Sequence, residues 1–106
     1  MATIEVNPGV CGLSSVIHAV SDDEQTVTFT VETTCPHIRA MADAIPTVDG
    51  YQEAFGKLGD GEIYQAAHAH CKHPACPVPS AFVKVTEVAC GLALPREVHM
   101  ILRKED

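Results

Sequence analysis

The apolar residues of this chain change period from two to 3.6 at a cysteine. Before it the repeat is two: Val27, Phe29 and Val31 face one way, Thr28, Thr30 and Glu32 the other, as in a half-buried strand. After Cys35-Pro36 the repeat is 3.6: Ile38, Met41, Ala42 and Ile45 form one helical face, and Pro46 closes it. A run of strands thus precedes the switch and a run of helices follows it, which favours an α+β domain over an alternating α/β fold.

Two further strands precede the switch. Thr3-Ile4-Glu5-Val6 alternates and ends at the turn-forming Asn7-Pro8-Gly9, and Ser14 to Ser21 is rich in β-branched residues. Short connections between three such strands predict an antiparallel meander, with Asp22 to Glu24 as a solvated turn. Beyond Pro46, Asp49-x-x-Gln52 has the form of a capping box, opening a helix with Tyr51, Ala54, Phe55 and Leu58 as its apolar face and Gly59 as its stop. Asp60 is placed to cap a short helix through Ile63, Ala66 and Ala67 to His70. A last helix is expected to start near Pro79, bury Phe82, Val85, Val88, Ala89 and Leu92, and end at Gly91 and Pro95. Val98, Met100 and Leu102 alternate with Glu97, His99 and Ile101, which predicts a C-terminal strand joining the sheet. The expected order is β-β-β-α-α-α-α-β, with the helices packed on one face of the sheet. At 106 residues, this is expected to be one compact domain, 1–106.

Composition narrows the function classes. The charge is −7, from 7 Lys+Arg against 14 Asp+Glu, which argues against nucleic-acid and anionic-membrane partners. Aromatics are 5% of the residues and Trp is absent, so a base-stacking platform is not expected. No apolar run approaches the roughly 18 residues of a membrane span, and Met1 to Gly12 lacks the shape of an export signal, so a cytoplasmic protein is expected.

Against that background, 5 Cys and 6 His are many for so short a chain. An odd cysteine count without an export signal favours reduced thiols over a disulfide framework. In a meander, the connection after the first strand and the exit of the third lie at the same sheet end. Cys11 is in the first and Cys35 in the second, so these two are expected to be neighbours. Cys35 lies at a helix start, where the dipole favours thiolate. Cys76 stands similarly before the last helix, with His73 three positions upstream, and Cys71 ends the third helix. Four thiolates at Cys11, Cys35, Cys71 and Cys76 suit Zn²⁺ or an iron–sulfur cluster, with His73 or His37 able to replace one. Cys90, inside the last helix, reads as core packing. His18 and His99 read as ordinary strand residues. His68 and His70 are separated by about 200° around a helix and cannot act as a pair there.

The segments NPGVCG, TTCPHIRAMADAI and HCKHPACPVPSAFVKVTEVACGLALPREV together resemble a small uncharacterised prokaryotic domain family, over nearly the whole chain. More distantly, the order of strand, Cys-Gly turn, two strands, cysteine at a helix start and late His/Cys resembles U-type iron–sulfur cluster assembly scaffolds. That resemblance implies a three-stranded sheet packed by helices and a transient cluster or zinc on three cysteines, assisted by a histidine or aspartate. By position it assigns the three cysteines to Cys11, Cys35 and Cys76, with His73 near the histidine's place. Here Leu13 stands where the scaffolds carry an aspartate, and the adjacent His-Cys pair is His70-Cys71, which makes Cys71 a second match for the third cysteine.

The leading expectation is therefore a protein that holds a metal ion or cluster on converging cysteines, as a scaffold or carrier serving a protein client. A second is thiol redox or sulfur-transfer chemistry, with Cys35 as nucleophile, His37 nearby and Cys11 as resolving thiol. A third is an interaction module without chemistry, for which self-assembly leaves room. No Ser/His/Asp set, phosphate loop or carboxylate pair completes an enzyme active site.

Overall fold

The computed structural model describes residues 1–105. It is α+β, ordered β1 (Ala2–Val6), β2 (Ser15–Val20), β3 (Thr26–Thr33), α1 (Pro36–Ala44), β4 (Thr47–Asp49), α2 (Gly50–Phe55), α3 (Glu62–His70) and α4 (Val78–Ala89). The first three strands form the expected meander, and all pairings in the four-stranded β1-β2-β3-β4 sheet are antiparallel. Register places Val6 opposite Ser15 and Ser15 opposite Thr33. The 7–14 connection and the exit of β3 therefore share one end of the sheet, and the Asp22–Glu24 turn takes the other.

Alternation sets the two faces. Ile17 and Ala19 of β2, Val27 and Val31 of β3 and Val48 of β4 point into the helical layer. On the opposite face His18 bridges Thr3 Oγ1 at 2.9 Å and Glu32 Oε2 at 2.7 Å across three strands. From the helical side α4 packs on β1 and β2, and α1 packs on β3. Ile38, Met41 and Ala42 of α1, Ile63, Ala66 and Ala67 of α3, and Phe82 and Val85 of α4 close one core. Phe82 meets Phe29 edge to face, with ring centres 5.1 Å apart, a favoured aromatic geometry.

Three expectations are corrected. The fourth strand lies in mid-chain at Thr47–Asp49, paired with Thr26–Thr28, and residues 97–102 form no strand. The alternation there is genuine, but no strand among the described residues pairs with it. Helix α2 ends at Phe55 with Gly56 as its C-cap, short of Gly59. It also leaves Tyr51 and Phe55, like Leu58 beyond it, exposed. A helix of under two turns cannot present the full stripe that the spacing suggested. Finally, α3 starts without help from Asp60. Its first N–H groups, those of Glu62 and Ile63, both donate to the Glu53 carboxylate at 2.9 Å.

Candidate metal centre

Cys35 is positioned by the sheet. Ser15, buried, shares a 2.8 Å hydrogen bond with Thr33 Oγ1 across the β2–β3 ladder, and Thr33 Oγ1 in turn accepts from the Cys35 N–H at 3.1 Å. The chain then turns into α1 with Cys35 as N-cap and Pro36 just inside the helix, where a missing N–H costs nothing. Cys35 is half-buried and packs against the core.

Cys71 is the C-cap of α3, its N–H donating to Ala67 O at 2.8 Å. Its Sγ lies 3.6 Å from Met41 Sδ of α1, tying the end of α3 to the first helix. Cys76 follows in the turn before α4, held by its N–H to His73 O at 3.1 Å. Like Cys35, both are half-buried against the core. The Cys71 thiol is pushed above its ordinary value, first by burial and then by the neighbouring Cys76 and Cys35 thiols. All three causes favour the protonated form and none is a cation. Cys35 and Cys76, from two other segments, are thus within electrostatic reach of Cys71.

The other expected residues sit differently. Cys11 lies at the correct end of the sheet but outside this group. It is exposed in a turn closed by the Gly12 N–H to Gly9 O at 2.9 Å. Both glycines have positive φ, with open space where a side chain would stand, a conformation that favours glycine. His73 is exposed and contributes its carbonyl to the turn, while His37 is half-buried in the first turn of α1. Among the described residues, no three His, Cys, Asp or Glu side chains stand together closely enough to hold a metal ion. Met41 is the neighbour that sequence reasoning assigned only to the core stripe. Its spacing marks a buried face and carries no sign of which side chain meets its sulfur.

Cys90 lies far from this end in the fold. It caps α4, is 3% exposed, and packs its Sγ over Gly50 at the end of β4. Its thiol too is raised, by burial first and then by Asp23, Glu24 and Asp49.

No helix among the described residues is long and apolar enough to cross a membrane. The model of one protein family, described as a family of unknown function (DUF6951), matches residues 2–102. No curated protein and no solved structure matches the chain.

Proposed function

The chain belongs to this DUF6951 family, and we propose that it binds a soft metal ion or an iron–sulfur cluster through Cys35, Cys71 and Cys76, with Cys11 or His73 as the further ligand. What supports the reading is three half-buried cysteines, at the N-cap of α1, the C-cap of α3 and the turn before α4, with Cys35 and Cys76 within electrostatic reach of Cys71. Thiolate donors select Zn²⁺, Cu(I) or iron–sulfur clusters over Mg²⁺ or Ca²⁺. A cation would supply the positive charge that this group of thiols lacks, and its binding would release protons. Uptake would draw the sulfurs in until each lies ~2.3 Å from a bound zinc. The glycine-flanked turn bearing Cys11 and the proline-rich turn bearing His73 and Cys76 are the segments that would move.

The test is titration of reduced, anaerobic, metal-free protein with Co²⁺, read by thiolate-to-cobalt absorption and confirmed by Zn²⁺ competition. One equivalent is expected to bind. Cys35→Ser, Cys71→Ser and Cys76→Ser should each weaken it by at least the roughly 10–100-fold that loss of an outer-shell partner costs. Cys90→Ser should leave it unchanged. Absence of thiolate absorption with all five cysteines reduced would overturn the proposal. Rapid alkylation of Cys35 at neutral pH without metal uptake would favour thiol chemistry instead.

A further inference from the structure

Beyond α4 the chain carries a segment with the pattern of a strand but no sheet to join. Val98, Met100, Ile101 and Leu102 are 55% to 96% exposed. Past the Arg96 N–H, which donates to Leu94 O, residues 97–105 make no backbone hydrogen bond among the described residues. Yet Val98, Met100 and Leu102 alternate with Glu97, His99 and Ile101, the pattern of a segment with one apolar face. The family match runs through residue 102, so this segment belongs to the common domain.

The same chain has a sheet edge that lacks a strand. Of the two edges, β4 is three residues long and runs directly into α2, which blunts it. At the other edge, β1 pairs with β2 alone over the continuous register Ala2 to Val6. It carries one charge, Glu5, and no proline or bulge, the usual guards of an open edge. Ala2, Ile4 and Val6 pack on the core but stay partly exposed. A neighbouring strand would finish covering them.

We propose that residues 97–102 of one copy add to the β1 edge of a second copy, and that the exchange is reciprocal. The six residues of the tail can span the five of β1, and the apolar set Val98, Met100 and Leu102 would continue the row of Ile4 and Ile17 over the helical layer. Main-chain bonds would supply affinity and the alternating side chains register. A second copy is favoured because, among the described residues, the tail makes no backbone hydrogen bond to its own body. It is exposed along its length, and the chain measures 49 Å in one direction against 27 and 26 Å in the others. Each copy holds one tail and one edge, so a twofold exchange uses both and closes at two.

Sedimentation equilibrium and amide hydrogen exchange on the full chain test this, with reductant and chelator present so that neither a disulfide nor a shared metal can imitate the contact. A monomer–dimer equilibrium is expected, with amides at 97–102 protected only as dimer accumulates. Met100→Pro removes a donor from the added strand and should weaken the dimer more than tenfold, with the circular dichroism of the folded body retained. A monomer at every concentration, a dimer indifferent to Met100→Pro, or tail protection already complete in the monomer would each overturn the proposal.

Discussion

At the scale of single residues, the tightest constraint lies away from the thiol group, where Cys90 meets Gly50. A methyl group at Gly50 would collide with Cys90 Sγ and stand 3.1 Å from Gln25 O. The Gly50 N–H already donates to that carbonyl, so backbone cannot retreat easily. Gly50→Ala should therefore cost about 1–3 kcal/mol by overpacking. Cys90→Ala in the same chain should recover part of that loss, as a double-mutant cycle by denaturant unfolding would show. Failure of the second change to help would place the strain at Gln25 O. A second residue-scale prediction concerns acid. The Asp23 carboxylate accepts from the Gln25 and Thr26 N–H groups at 2.9 and 2.7 Å. These bonds, Gln25 first, lower its pKa from 3.8 to about 2. A depressed folded-state pKa means a contribution that is full above 3.8 and lost as pH falls towards about 2. The stability gap between the natural chain and Asp23→Ala should accordingly be constant near neutrality and close over that acid window. A gap independent of pH would mean that the carboxylate's charge is immaterial to the turn.

At the scale of elements, the helix that ends at Cys71 starts on a carboxylate borrowed from its neighbour. Glu53, in α2, satisfies the two leading N–H groups of α3, and α3 delivers Cys71. Glu53→Ala should cost about 0.5–2 kcal/mol, the range for loss of a helix cap, and should raise amide exchange at Glu62 and Ile63 before the rest of α3. Unchanged exchange at those two amides would contradict the capping role. The same relation explains which elements were legible. β1, β2, β3 and α1 each span enough residues for their period to show, and α3 and α4 were marked by Ile63, Ala66, Phe82 and Val85, all buried as the spacing implied. β4 was not legible, because in three residues only Val48 points inward and a single inward residue has no period. Asp49 caps α2 as its spacing implied, accepting from the Tyr51 and Gln52 N–H groups, but the cap of α3 was misread for a related reason. Asp60 is next to α3 in sequence, but the carboxylate that reaches its N-terminus comes from Glu53, nine residues before Glu62.

At the scale of the whole molecule, the meander divides the sheet into a thiol end and an acidic end. That division followed from strand order alone, and it placed the Cys11 turn and Cys35 together at one end. Connectivity did not say how near, since a loop closed by its own hydrogen bond can share a sheet end and still point outward. It was likewise silent on the tail. Alternation shows that residues 97–102 have one apolar face, and says nothing of whose sheet that face completes. The central claim remains the metal-binding role of Cys35, Cys71 and Cys76. Its most direct measurement is the alkylation rate of each cysteine, resolved by mass spectrometry, in metal-free protein and after one equivalent of Zn²⁺. The account predicts strong protection of Cys35, Cys71 and Cys76 on adding zinc, with the buried Cys90 slow in both states. Equal rates at those three thiols with and without zinc would contradict it.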